Sequence, residues 1–432
     1  MKNIIRTIII CSALGTHTLH AQDVHAPVPA TLQQLVLQSF NNYTRIKALQ
    51  TQQQIAADRT QISKASRLPD ISGTASYSHI SPVAKIQLPG SDLVFQPIPA
   101  DNYNVGVNGR QLLLDFGKSG SAIRKSAAEQ DLLSMQTDEA KEQLAYQVAT
   151  VYLNIAYVNR NIAVQDANIK LLEDTERIVE NKLKHGDAID LDLINTRVKL
   201  EGYRNRKTEF QNQFKKQIAL LQYLTGIQQQ DSINTSFNWP QTITAGNDAF
   251  ASNMAIKTSQ EKEKVATIEV ESAKATHTPS LFLDAGTGFK NGYLPEIQKF
   301  RYNWNAGVTL AVPIYNGKKD KLKEMIAAKE LAVAKLNTQD AVDNLQKDIA
   351  QTNADIEANQ AKLLTAATLL QQAERALQLA QSRYNNGVIT YLDLQNAQTS
   401  NLEAQLSKVQ YEYQLSISNL ELLHLAGNQF WK

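Results

Sequence analysis

Residues 183–194 read LKHGDAIDLDLI and residues 384–395 read YNNGVITYLDLQ, the same punctuation written twice with a shift of 201 positions. In each, an apolar or aromatic residue ends a long periodic run, Gly186 or Gly387 supplies a break, and Asp192-Leu193 or Asp393-Leu394 begins a second run. The shift holds on both sides without a gap. Leu144, Val148, Ile155, Ile162 and Ile169 fall on Leu345, Ile349, Ile356, Leu363 and Leu370, and Phe210, Leu221, Leu224 and Gly226 fall on Tyr411, Leu422, Leu425 and Gly427. A repeat of this length fixes the unit of the fold before any element is assigned.

That unit contains helices of unusual length. From about Lys118 to Lys184, the positions Leu144, Val148, Val151, Ile155, Val158, Ile162, Gln165, Ile169, Leu172, Glu176, Val179 and Leu183 keep alternating spacings of four and three. Leu345 through Tyr384 does the same in the second half. Sustained heptads predict supercoiled helices. Some 65 residues at 1.5 Å each span roughly 100 Å. Each long helix reverses at its glycine into an antiparallel partner, so coiled-coil hairpins are expected over 118–224 and 318–424. Shorter helices over 31–67 and 247–276 lead into what precedes each hairpin.

What precedes them alternates with period two. Ile71, Gly73, Ala75 and Tyr77 face away from Ser72, Thr74, Ser76 and Ser78, and Tyr103, Val105 and Val107 oppose Asn102, Asn104 and Asn108. Leu281, Leu283, Ala285 and Phe289 oppose Asp284, Gly286 and Gly288, and Tyr302, Trp304, Ala306, Val308, Leu310 and Val312 oppose Asn303, Asn305, Gly307, Thr309 and Ala311. Strand hairpins are therefore expected at about 70–113 and 280–313, with loops over 81–101 and 290–301. Each is preceded by Lys-Ala-Ser/Thr-x-x-Pro (64–69, 274–279) and followed by Asp-Phe-Gly-Lys (115–118) or Tyr-Asn-Gly-Lys (315–318). Proline stops the helix and glycine permits the turn into the next one.

One apolar and one hydroxyl-rich face per strand fits a transmembrane β-barrel, and Tyr103, Tyr302 and Trp304 stand near strand ends as interfacial aromatics do. Soluble hairpins with one wet face have the same pattern. Residues 1–21 supply a basic start at Lys2 and Arg6, an apolar run from Ile8 to Leu14 and a small residue, Ala21, which together read as a secretory signal. The only cysteine, Cys11, lies in it; lipidation there is disfavoured by its Ile-Ile-Ile context. Removing Lys2 and Arg6 from 44 basic residues leaves 42 against 42 acidic ones, a formally neutral chain with no pull toward nucleic acid. No later stretch holds 18 consecutive apolar residues, which excludes a transmembrane helix but not a barrel. The two expected repeats are 22–226 and 247–432, joined by a polar linker over 227–246 that contains Pro240.

Closure then sets the stoichiometry. Four strands leave open edges, which lipid does not tolerate. Eight would give an interior filled by side chains, so three copies and twelve strands make the smallest channel.

The two tip stretches, 184–196 and 384–397, with the junctions Gln111-Leu-Leu-Leu-Asp-Phe-Gly-Lys118 and Val312-Pro-Ile-Tyr-Asn-Gly-Lys318, resemble the TolC-like outer-membrane efflux proteins over essentially the whole mature chain. The resemblance implies a homotrimer with a twelve-stranded barrel in the outer membrane and a long periplasmic α-helical tunnel. It also implies a closed tip opened by a periplasmic adaptor (membrane fusion protein) and an inner-membrane pump. By that pattern Asp393 lines the narrow mouth as a carboxylate ring, and Asp192 and Tyr384 contribute to the contacts that hold the coils shut. Gly186, Gly387, Val388 and Ile389 form the tip turns offered to the adaptor. Relatives place an arginine where this chain has Ile389 and some a second acid where it has Asn396, so an apolar or hydrogen-bonded lock is expected instead of a charged one. Thr390-Tyr-Leu-Asp393 also reads as a capping box, which gives Asp393 a second role at a helix N-terminus. Tyr384 equally continues the heptad seam as packing.

Other function classes leave weaker traces. A periplasmic coiled-coil adaptor or structural protein is the alternative reading, but an adaptor needs one hairpin flanked by small β-domains. Catalysis needs a polar constellation, and His25, His79, His185, His277 and His424 lie too far apart for ligand spacing. No cofactor, metal or catalytic residue is expected.

Overall fold

A computed structural model describes residues 29–432 except 88, 91, 93 and 229–248. The expected signal segment with Cys11, as well as His25 and nearly all of the expected linker, lies outside the described residues. The elements are α1 (Ala30–Asn42), α2 (Thr44–Ala65), β1 (Asp70–His79), β2 (Ile86–Gln87), β3 (Val94–Phe95), β4 (Asp101–Leu114), α3 (Lys118–Lys184) and α4 (Asp190–Thr225). After them come α5 (Ala249–Ser252), α6 (Met254–Ala275), β5 (Ser280–Lys290), β6 (Arg301–Ala311), α7 (Lys319–Asn385) and α8 (Tyr391–Leu425).

α3 and α7 are 67 residues each, roughly 100 Å long. The helices form a layer four wide along its whole length. Next to the sheet, α2 and α6 pack on α3, and α6 also packs on α7; toward the tips, α4 packs on α3, α3 on α8, and α8 on α7. Where the two regimes meet, α1 and the C-terminal Phe430 and Trp431 cover Leu144, Val148, Tyr152 and Ile155 of α3. The repeat is visible in contacts as well as in sequence. Gly226 packs its backbone on Asn42, and Gly427 packs on Ser252 and Asn253 in the equivalent place, each with positive φ and no room for a Cβ.

On α7 the expected seam is the one that packs: Leu345, Thr352, Asn359, Ala366, Leu377 and Tyr384 are buried, with Ile349, Ile356, Leu363 and Leu370 half-buried between them. On α3 alternate seam positions shift by one residue beyond Val158, while Gln165, Leu172 and Val179 are buried as expected. Asn161, Asn168 and Thr175 are buried where Ile162, Ile169 and Glu176 were expected. The cause is a second neighbour. α3 is held between α4 and α8, and the polar residues between the hairpins bond across: Asn168 donates to Gln405 Oε1 at 2.9 Å and Gln398 donates to Thr175 Oγ1 at 2.8 Å. Buried polar groups with partners are tolerated where unpaired ones are costly.

The four long strands form one antiparallel sheet in the order β1–β4–β5–β6, with β4–β5 pairing joining the two repeats. The expected loop over 81–101 carries a further small hairpin, β2–β3. Register places Ala75 beside Val105, Val105 beside Phe289, and Phe289 beside Tyr302, all on one apolar face. The opposite face shows Ser, Thr, Asn and Gly. Neither face is covered, and β1 and β6 are open edges. Among the described residues no helix is long and apolar enough to cross a membrane.

The candidate channel: a sheet at one end, a helical tip at the other

The sheet end is positioned by two strained turns. At the first, Phe116 and Gly117 both have positive φ (50° and 97°), and Asp115 holds the turn by accepting from Gly117 N at 3.2 Å and Ser119 N at 2.5 Å. Burial raises the Asp115 carboxyl, but hydrogen bonds from the Ser119 side chain and from the Ser119 and Gly117 amides, with the Arg67 charge, outweigh it and hold the group below its usual range. At the second, Gly317 and Lys318 take positive φ, and Asn316 bonds Asp320 at 2.5 Å. Both turns send a helix straight off the rim of the sheet.

The aromatics expected at the interface, Tyr103, Tyr302 and Trp304, are exposed on the apolar face near the loop ends of β4 and β6. Tyr77 and Phe289 join them: Tyr77 stands opposite Tyr103 with ring centroids 5.2 Å apart, and Phe289 stands opposite Tyr302 at 5.7 Å. Reading the strands one at a time does not expose that girdle, because only register brings rings from four strands within two residues of one level.

At the other end, both tip turns are Schellman motifs. Asp187 N bonds Lys182 O at 2.8 Å and Gly186 N bonds Leu183 O at 3.1 Å; Val388 N bonds Arg383 O at 2.8 Å and Gly387 N bonds Tyr384 O at 3.0 Å. The glycine φ values of 85° and 73° are those the motif requires. The following helix starts differ. Thr390 Oγ1 accepts from Asp393 N at 3.2 Å while Asp393 Oδ2 accepts from Thr390 N at 3.0 Å and from its hydroxyl at 2.7 Å, a complete capping box. Those bonds hold the Asp393 carboxyl below its ordinary range. In the first repeat, Ile189 occupies the cap position and its side chain cannot accept a hydrogen bond, so Asp192, the equivalent of Asp393, takes no part in a box.

Asp192 faces two tyrosines instead. Tyr384 is buried in a cluster with Val179, Leu193, Leu377, Tyr391 and Leu394, which ties the α3–α4 hairpin to the α7–α8 hairpin. Its hydroxyl has no hydrogen-bond partner among the described residues. Burial first, then the Asp192 charge, push Tyr384 up to about 12, and the same two causes raise Tyr391. Tyr391 Oη and Thr196 Oγ1 are hydrogen-bonded at 2.8 Å, and Lys199 donates to Thr399 at 2.9 Å. Between hairpins the tip is therefore held by apolar packing and hydrogen bonds. Ile389 packs at the margin of this cluster, whereas Val388 projects outward. Thr196 and Tyr391 escaped the sequence reading, since nothing in their spacing shows that they meet.

Comparison with known proteins gives this geometry its context. The chain is 24% identical to the pyoverdine export outer membrane protein OpmQ of Pseudomonas aeruginosa, over 81% of this chain and 75% of that one. It is 22% identical to the outer membrane protein TolC of Vibrio cholerae, over 96% and 93%. The fold superposes on the crystal structure of the outer membrane protein VceC from Vibrio cholerae with a TM-score of 0.78, at 19% identity and covering 93% of this chain and 97% of that one. The family profile described as outer membrane efflux protein matches residues 35–227 and 245–428, one match for each repeat. A sheet with one lipid face and open edges, continued by a helical layer that ends in paired capped tips, is thus that of an outer-membrane efflux channel with a periplasmic extension, and the chain belongs to the outer membrane efflux protein family.

Proposed function

We propose that three copies of this chain assemble into the exit duct of a tripartite efflux or type I secretion system, conducting cargo passively from a periplasmic adaptor and inner-membrane pump to the exterior, without catalysis. The observation that carries the proposal is the four-stranded sheet with unpaired edges at β1 and β6, an arrangement that lipid permits only if neighbouring copies complete the ladder. The helical flanks support the same stoichiometry. Ile55 and Ile62 on α2, Leu191, Ile194 and Val198 on α4, and Val333, Leu336 and Leu364 on α7 are all exposed apolar side chains on helices that lack an outer neighbour. Burying such stripes between copies contributes about 25 cal/mol per Å².

In this reading residues 22–226 and 247–432 act as two equivalent staves, Tyr103, Tyr302 and Trp304 sit at the membrane interface, and the tip is the gate. The lock is the apolar cluster around Tyr384 with Asp192 beside it, and Gly186, Gly387, Val388 and Ile389 present the compact surface to which the adaptor docks. Asp393 serves its capping box and, in three copies, adds a carboxylate ring at the mouth.

Two experiments follow. Tags inserted in 81–100 and 291–300 should be reachable from outside intact cells, and tags near Asp187 or Val388 should be shielded; reversed accessibilities would invert the orientation. Asp393→Asn preserves an acceptor for Thr390 while removing the charge, so single-channel recordings should show reduced cation preference with an unchanged melting temperature. Asp393→Ala should lower both. If Asn leaves selectivity untouched and only Ala has an effect, on melting, Asp393 is a cap alone.

A further inference from the structure

The polar face of the sheet is neutral over most of its height: Ser72, Thr74 and Ser76 on β1, Asn104 and Asn108 on β4, and Asn303 and Asn305 on β6. At the helix-proximal end that pattern is interrupted. Asp70 stands opposite Arg110 across β1–β4, and Arg110 stands opposite Asp284 across β4–β5, so that one row at a single depth reads negative, positive, negative. Residues directly opposed in antiparallel strands share a face. All three belong to the polar, lumen-side set.

The centre of this row is built, not incidental. Arg110 Nε lies 3.5 Å from Asp284 Oδ1, and Thr309 Oγ1 donates to Asp284 Oδ2 at 2.8 Å, orienting the carboxylate toward the arginine. The guanidinium carbon lies 4.0 Å from the centroid of Phe282, one pleat further toward the helices on the same face. Stacking on an aromatic face suits the planar guanidinium and restricts where its charge sits. Within the strands, the next charged groups, Asp101, Lys290 and Arg301, are at the loop end. Arg110 and Asp101 are separated by about 30 Å of strand, well beyond a Debye length of about 8–10 Å. The row is thus electrically separate from the charges at the loop end, with Arg67 and Asp115 beyond it on the helix side.

We propose that Asp70, Arg110 and Asp284 are a specificity-determining belt of the channel, in which Arg110 offsets its flanking carboxylates so that the barrel's inner end holds only one net negative charge per copy. The proposal rests on the trimeric channel reading. With Arg110 in place, the barrel's inner end itself adds little to the discrimination between small cations and anions and does not retain multivalent cations. Without it, three copies would present six carboxylates around one ring, a strong field in a confined lumen.

The test is bilayer recording of the wild type and of Arg110→Gln, Asp284→Asn and Arg110→Lys. Arg110→Gln should raise the cation-to-anion permeability ratio severalfold and make hexamminecobalt(III), added on the loop side, block at concentrations at least tenfold lower. Asp284→Asn should shift preference toward anions, and Arg110→Lys should stay near the wild type in both. Should Arg110→Gln fail to assemble, the anion shift of Asp284→Asn decides the matter. A conducting wild type whose Gln and Asn variants match it in selectivity and block overturns the belt alone. A wild type without conductance overturns the channel reading, and the belt with it.

Discussion

Replacing Gly288 with alanine should remove the assembled channel, although the change adds one methyl group. Gly288 stands opposite Gly106 in the β4–β5 pair that joins the two repeats into one sheet. A Cβ at Gly288 would lie 2.6 Å from Gly106 Cα and would meet the carbonyl group of Val105, and a Cβ at Gly106 would lie 2.8 Å from Thr287 O. The obstacle in each case is backbone, which cannot rotate aside as a side chain can. The strands have to separate or flatten at that point, and a barrel depends on local curvature for closure. Overpacking of this kind costs about 1–3 kcal/mol per site, and the cost recurs in every copy of a closed ring. Gly307→Ala is the matched control: Gly307 lies on the neighbouring β6 of the same sheet, and an added Cβ there meets nothing within 4 Å. Measured by native mass and by conductance, Gly288→Ala should lose the oligomer while Gly307→Ala retains it. Equal behaviour of the two variants would show that the β4–β5 contact does not control closure.

The second large effect is on stability and depends on pH. Glu142, on α3, is buried, and its Oε2 has no hydrogen-bond partner among the described residues. His424 on α8 lies 3.8 Å from Oε1. Burial, reinforced by Glu139 and opposed by Lys257 on α6, raises the Glu142 carboxyl to about 7. Because the folded protein binds this proton more tightly than the unfolded chain, the group's contribution is fully present below the ordinary glutamate value and is lost as pH rises through about 7. Burial pushes His424 the other way, below the ordinary histidine value, so its contribution is lost as pH falls through that lowered value. Glu142 is then mostly protonated in the folded state at mildly acidic pH, and its contribution to stability is larger there than at pH 8. Glu142→Gln removes the cost of ionisation. It should raise stability by about 2 kcal/mol per protomer at pH 8, after allowance for residual solvent screening, and have little effect at pH 5. Thermal melting of the detergent-solubilised protein across that range measures both. A gain confined to pH 5, or no gain at pH 8, would contradict the assigned protonation.

These two sites show which parts of the molecule a linear reading reaches. The tips were legible because their determinants are local: Gly186 and Gly387 close Schellman motifs through residues three to five positions away, and Thr390 and Asp393 are three apart. The alternating faces of the strands were legible for the same reason, since strand period is a property of the chain itself. Glu142 and His424 come from different repeats and have no spacing that announces them. The shift of the α3 seam onto Asn161, Asn168 and Thr175 needs knowledge of α8, whose Gln398 and Gln405 supply the partners. The different roles of Asp192 and Asp393 follow from a single substitution in the repeat, Ile189 for Thr390, which removes the hydroxyl that a capping box needs. Gly106 and Gly288 are unremarkable until register sets them face to face.

The central claim is that this chain is one third of a conducting barrel, and the mass of the detergent-solubilised mature protein, measured together with conductance of the same preparation in planar bilayers, tests it most directly. The account predicts a particle of three chains that inserts and passes ions in discrete steps. A stable monomer that inserts without conducting would contradict it, because four strands with open edges would then have to exist in lipid on their own.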